Sequence, residues 1–148
     1  MINNYKSWFF EKVDKYLLSK DLKKTSQRSI IMNKLLDKGG HISAEELSNE
    51  LKEDGHRIGL ATIYRTLRVL KDSGVIEEHC FMENRSLFEL HFPDKHHDHI
   101  VCTSCGLVIE FLNNEIESLQ QKVARENNFT LTKHIMNLYG KCEKCQMI

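Results

Sequence analysis

"GLATIYRTLRVLKDSGVIEEHCFMENRSLFELHF", residues 59–92, changes its hydrophobic period halfway along. In the first half Leu60, Ile63, Leu67 and Leu70 recur at helical spacing and face a core, which leaves Thr62, Tyr64, Arg65, Arg68 and Lys71 on the outer surface. In the second half the pattern alternates. Val75, Ile76, Phe88 and Leu90 are among the apolar positions of two short strands around "ENR". The stretch therefore predicts a helix followed by a two-stranded hairpin.

Upstream, three more helices are predicted. "SWFFEKVDKYLLSK" is amphipathic and belongs to a helix over about residues 5–20, with Trp8, Phe9 and Phe10 turned onto the domain. In "TSQRSIIMNKLLDKGGH", Thr25 and Ser26 offer N-cap oxygens and Gly39-Gly40 a stop. "ISAEELSNELKEDGH" begins at Ser43, carries Glu46 three residues on as a capping box, and ends at Gly55. Helix, turn, helix and then a two-stranded wing is the order of a winged helix-turn-helix domain, whose second helix of the pair enters a DNA major groove. An exposed tyrosine between cations suits that groove, although a plain solvated helix face has the same composition. One such module reads a half-site, so a dimer is implied.

Downstream of the single proline, Pro93, the chain predicts a smaller α/β unit. "HIVCTSCGLVIEF" gives a strand, a cysteine turn and a second strand. "NNEIESLQQKVARENN" is an amphipathic helix carrying Ile116, Leu119 and Val123, and "FTLTKHIMNLYGKC" returns as a strand. About 50 residues is marginal for independent folding, and metal together with a second copy of the chain would supply what the core lacks.

Four of the five cysteines form two Cys-x-x-Cys pairs, Cys102 with Cys105 and Cys142 with Cys145. Two such grips can supply four thiolates to one tetrahedral zinc, a site closed to water and therefore structural. The 36 residues between the pairs exceed the usual zinc-ribbon gap, so a folded segment must bring them together. Two independent redox pairs are the alternative, but neither pair sits where a strand turns into a helix in thioredoxin fashion. Just ahead of the first pair, "HHDH" at residues 96–99 adds three histidines and an aspartate. In a strand, residues 97 and 99 point to one face and 96 and 98 to the other, so this segment can feed two metal sites at once.

Composition narrows the classes without choosing among them. The 148 residues are 41% hydrophobic, enough for one core or two small ones, and 21 cationic side chains balance 21 acidic ones. Residues 1–92 carry 15 Lys and Arg against 14 acids, and residues 93–148 carry 6 against 7, so any case for DNA rests on local arrangement. No run approaches the roughly 20 apolar residues of a membrane span, and the N-terminal pattern carries charges that a signal peptide would lack. A cytoplasmic protein is expected, where reduced thiols bind metal rather than pair.

Taken together, "TSQR", "HISAEEL", "GLATIYRTL", "FEL", "HHDHIVCTSCG", "VIEF" and "LYGKCEKC", in this order, resemble the ferric uptake regulator family of bacterial metal-responsive repressors. The resemblance covers the chain apart from its first twenty or so residues. It implies an α+β protein: a winged-helix DNA-binding domain over residues 1–92, a hinge at 93–95, and a dimerisation and metal-binding domain over 96–148. It also implies a divalent metal as corepressor. Carried over residue by residue, the regulatory site is His41, Glu89, His97, His99 and Glu110. A second site in the dimerisation domain is His96, Asp98, Glu117 and His134, the last from the final strand. Tyr64 is implied as a base contact, Arg65 as a phosphate contact and Lys24 as a minor-groove contact. Arg68 is added from helical spacing alone, where a simple surface cation is an equal reading.

The implied function is an iron-responsive repressor of palindromic AT-rich operators, acting as a homodimer with tetramers left open. Structural Zn(II) sits on the cysteines and Fe(II) in the regulatory site, replaceable in vitro by Mn(II) or Zn(II). Glu110 favours iron over peroxide sensing, since the peroxide-sensing branch typically has aspartate there. Zinc-sensing relatives share overlapping ligand sets. A metal-dependent hydrolase also uses His-x-His with scattered carboxylates, but needs an open coordination site in a substrate pocket. Neither catalytic residues, a small-molecule substrate nor a membrane partner is expected. Cys80 reads as a small apolar filler, and His56, His79 and His91 as solvent-facing.

Overall fold

The computed structural model describes residues 2–93 and 95–147, which divide into two compact units, residues 1–92 and 93–148. Asp94, in the middle of the expected hinge at 93–95, lies outside the described residues.

The first unit contains α1 (Ile2–Ser19), α2 (Ser26–Lys38), α3 (Ala44–Glu53), α4 (Leu60–Asp72), β1 (Ile76–Met82) and β2 (Arg85–Leu90). Local chemistry sets the boundaries. The Thr25 hydroxyl accepts from the Arg28 N–H to start α2, and the chain leaves it at Gly39, whose φ of 63° suits a residue without a Cβ. Ser43 and Glu46 form the full capping box at α3. Between α3 and α4, Gly55 takes φ 86° and lets the His56 N–H reach back to Leu51 O at 2.8 Å. In the hairpin, Asn84 takes φ 60°, a left-handed conformation that its short side chain tolerates, between the paired residues Met82 and Arg85.

One core fills this unit. Ile31, Met32 and Leu35 of α2, Leu47 and Leu51 of α3, and Ile63, Leu67 and Leu70 of α4 meet Val75, Ile76 and Phe88 of the wing. Leu60, expected in that core, is exposed, because it occupies the first position of α4 before the helix has turned onto the domain. Phe9, Val13 and Leu17 bring α1 into the same cluster, with Trp8 and Phe10 partly buried beside them. A bridge from Ile42 to Phe88, with both N–H groups donating, joins the segment before α3 to the wing. That bridge sets His41 beside Glu89.

The second unit contains β3 (Asp98–Cys102), β4 (Val108–Phe111), α5 (Asn114–Glu126), β5 (Asn137–Gly140) and a single helical turn, α6 (Glu143–Gln146). Its sheet has the order β4-β3-β5, with β4 antiparallel and β5 parallel to β3. The returning strand is shorter than expected, and His134 precedes it in extended chain. The amphipathic stripe of α5 is also incompletely buried within the chain: Ile116 is half-buried, Leu119 and Val123 are exposed, and Ala124 alone on the helix is fully covered. Ile109, Ile100 and Leu138 sit side by side across the three strands, and all three are exposed. An apolar row of this kind is the signature of a face that meets another surface.

Phe9→Ala should destabilise the first unit by about 3–5 kcal/mol and Ser43→Ala by about 1 kcal/mol, both read from urea unfolding followed by circular dichroism.

Candidate metal centres

The parallel register of β3 and β5 solves the spacing problem posed by the cysteines. Cys102 pairs with Gly140, so the turn after β3, which carries Cys105, and the turn after β5, which carries Cys142 and Cys145, lie side by side. One sulfur from each of the four cysteines falls within 4.8 Å of the others. Cys105 Sγ and Cys142 Sγ are 3.8 Å apart. Four sulfurs at the usual zinc distance in a tetrahedron stand about 3.8 Å from one another, so the cluster fits such an ion. The thiols are not equivalent. Backbone N–H groups of Cys142 and Cys105 hold the Cys102 thiol down to about 5, whereas a hydrogen bond with Cys142, then one with Cys105 and burial, push Cys145 up to about 12.

A second cluster joins β3 to α5. His96, Asp98, Glu117 and His134 each turn a ligand atom toward a common point. His96 Nε2 stands 3.4 Å from Asp98 Oδ1 and 3.6 Å from Glu117 Oε1, and His134 Nε2 stands 3.6 Å and 3.3 Å from the same two oxygens. These separations are long for hydrogen bonds and close to the roughly 3.3 Å between tetrahedral ligands at about 2.0–2.1 Å from a metal. Both carboxylate oxygens of Asp98, Glu117 Oε1 and His134 Nε2 are buried without a hydrogen-bond partner. Buried polar groups are rarely left so, and a shared cation satisfies all of them.

The five residues of the expected regulatory set are divided between the units. In the first, His41 Nε2 is 3.0 Å from Glu89 Oε2. In the second, the rings of His97 and His99 lie 4.9 Å apart, and Glu110 stands opposite His99 in the β3–β4 register. The alternation expected along 96–99 is present, with His96 and Asp98 in the cluster against α5 and His97 with His99 outside it.

Three expectations about the wing need correction. His79 is not solvent-facing: its Nε2 is 2.6 Å from Glu89 Oε1, in a largely buried position. His91 is partly buried, with Nδ1 2.6 Å from Glu77 Oε1. Their residue types predict nothing of the kind; the signal was the strand period, which puts 77, 79, 89 and 91 on one face of the hairpin. Cys80, on the opposite face, is exposed rather than a core filler, with its sulfur 3.4 Å from Ser86 Oγ. His56 is half-buried after α3.

The outer face of α4 presents Tyr64, Arg65 and Arg68. The Tyr64 hydroxyl donates to Glu45 Oε1 at 2.7 Å, and that bond raises its pKa. Lys24, ahead of α2, pairs with Asp14 at 2.6 Å on an exposed surface.

A profile described as the ferric uptake regulator family matches residues 19–139. The chain belongs to the ferric uptake regulator family. A ferric uptake regulation protein of Neisseria meningitidis serogroup A is 46% identical over 106 residues, 72% of this chain and 73% of that one. The solved Vibrio cholerae ferric uptake regulator superposes with a TM-score of 0.76 at 44% identity, over 87% of this chain and 98% of that one. The Helicobacter pylori regulator, whose structure reveals three functional metal binding sites, superposes with a TM-score of 0.85 at 28% identity, over 95% of this chain and 93% of that one. The ferric uptake regulator match begins at the last residue of α1, so Phe9, Val13 and Leu17, which α1 brings to the core, lie ahead of the matched region.

The unequal cysteine thiols give a proton count for metal loading. Hydrogen bonds hold the Cys102 thiol below the ordinary range and push Cys145 above it, so filling the four-sulfur cluster with thiolates should release protons. Metal affinity should therefore rise with pH above neutrality. A pH-stat titration of the reduced, metal-free protein with Zn²⁺ measures the count, and release of none would contradict the assignment of Cys145 as a protonated ligand.

Proposed function

We propose that this chain is an iron-responsive transcriptional repressor, binding AT-rich palindromic operators as a homodimer when Fe(II) occupies a site made by His41, Glu89, His97, His99 and Glu110. The observation that carries this reading is the division of the segment 96–99. His96 and Asp98 turn into a cluster with Glu117 and His134, which leaves His97 and His99 together, with His99 opposite Glu110. His41 and Glu89, already 3.0 Å apart, are the remaining ligands. Mixed imidazole and carboxylate ligation suits an exchangeable Fe(II), Mn(II) or Zn(II), as a sensor requires.

The ligands of that set come from both sides of Pro93. An ion held by all of them would restrict how the DNA-binding unit is carried, and so fix the spacing of two α4 helices across a dimer. Affinity for a two-fold operator then follows metal occupancy. Zn(II) on Cys102, Cys105, Cys142 and Cys145 serves the second unit structurally, and the His96, Asp98, Glu117 and His134 cluster holds a further ion there. The exposed apolar row Ile109, Ile100 and Leu138, with Leu119 and Val123 on α5, supports a second copy of the chain as partner.

On DNA, Tyr64 contacts a base, Arg65 a phosphate and Lys24 the minor groove, with Arg68 as a further cation on the same face. The chain acts in the cytoplasm on duplex DNA and has no catalytic task or small-molecule substrate. No helix among the described residues is long and apolar enough to cross a membrane.

The test is anaerobic fluorescence anisotropy on an AT-rich inverted repeat at fixed salt, with labile metal removed and Fe²⁺, Mn²⁺ or Zn²⁺ added separately. Binding should appear with Fe²⁺ or Mn²⁺ and weaken at least tenfold in His97→Ala, while the circular dichroism melt stays cooperative. Response to Zn²⁺ alone, at far lower free concentration, would assign the chain to zinc sensing. Metal-independent binding would sink the sensing mechanism. Arg65→Ala should weaken binding to all sequences alike and lower the salt slope by about one.

A further inference from the structure

One face of the wing hairpin gathers two glutamates and two histidines, of which the regulatory reading uses only Glu89. Glu77 and Glu89 are directly opposite each other across the β1–β2 ladder. Like charges so placed repel, unless something positive lies with them. On the same face, His79 Nε2 is 2.6 Å from Glu89 Oε1 and 3.7 Å from Glu77 Oε2, so one imidazole nitrogen addresses both carboxylates. A ligand atom from each of Glu77, His79 and Glu89 lies within 4.8 Å of the others. His91 Nδ1, 2.6 Å from the other oxygen of Glu77, fixes that carboxylate from behind.

We infer that Glu77, His79 and Glu89 form a further divalent-cation site on the wing, with His91 as the positioning partner of Glu77. All of these residues belong to the first unit, Glu77, His79 and Glu89 on the β1–β2 hairpin and His91 just past its end. Two carboxylates and one imidazole form a hard, mixed donor set, suited to a first-row ion such as Mn²⁺, Fe²⁺ or Zn²⁺ that completes its shell with water. The contact of His91 with Glu77 matches known metal sites, in which a ligating carboxylate is held by its own hydrogen bond. Glu77 is the most accessible of the three ligands, with 43% of its side chain exposed against 16% for His79 and 6% for Glu89, so the ion enters from the Glu77 side. Glu89 is the one residue shared with the regulatory set; through it, an ion on the wing would bear on the other site. The inference does not otherwise rest on the regulatory reading.

The experiment counts Mn²⁺ by electron paramagnetic resonance of the free ion, on full-length protein that retains zinc on its cysteines. A background carrying His96→Ala, His97→Ala, His99→Ala and His134→Ala removes the imidazoles of both clusters in the second unit. It should still bind one Mn²⁺ per protomer, and adding Glu77→Gln or His79→Gln should weaken that ion at least tenfold. In the otherwise unaltered chain, Glu77→Gln should lower the Mn²⁺ count by one with the zinc content and circular dichroism unchanged. A count in the unaltered chain that ignores Glu77→Gln, or retention of the background ion in both wing variants, overturns the site in favour of simple histidine–carboxylate pairs. These counts are read without DNA, so failure of the wing site and failure of metal-dependent repression remain separate results.

Discussion

The two-residue period of a β-strand is the constraint on which the second unit depends. Side chains alternate along β3, and the pattern carries into the two residues that lead into it, so His96 to His99 contribute to two different surroundings. The same strand then continues to Cys102, and its parallel partner β5 delivers the second cysteine pair alongside the first. A register slip of one residue would turn Asp98 away from Glu117 and His134, and would part the cysteine turns as well. Metal chemistry and strand pairing are therefore one specification, and the apolar core of this unit, little more than Val101, Cys102 and Ala124, has a correspondingly small share in it.

The first unit rests on a different balance. Its core is large and continuous, with residues from four helices and the wing, and its helix ends are fixed by Thr25, Ser43 and Glu46. Stability there comes from packing, which leaves the polar face of the hairpin open to other uses. The histidines and glutamates at 77, 79, 89 and 91 occupy such a face, where Glu89 also meets His41 and the His79 ring stacks on Phe81.

Much of this could be read before any coordinates. Caps, the change of period at residue 74 and the paired cysteines depend on local spacing, and the structure contains each of them. Long-range facts were harder. Nothing local says that His79 meets Glu89 or that His91 meets Glu77, because those pairs follow from hairpin register and not from neighbouring residues. Leu60 has the right spacing for a core residue, yet position one of a helix lies at the rim. The stripe of α5 was legible as apolar; that it remains uncovered within one chain was not, since periodicity gives a face but never its occupant.

Tyr64 is held by Glu45 before any duplex arrives. A ring already fixed in direction loses little rotational freedom when it meets a base, so contact costs less than it would for a loose side chain. The carboxylate that fixes the ring is also an anion on the approach to α4. In the proposed DNA-binding role it would repel a phosphate backbone that came too near at that point. A single hydrogen bond between α3 and α4 thus fixes both the direction of the Tyr64 ring and the position of a negative charge on that face.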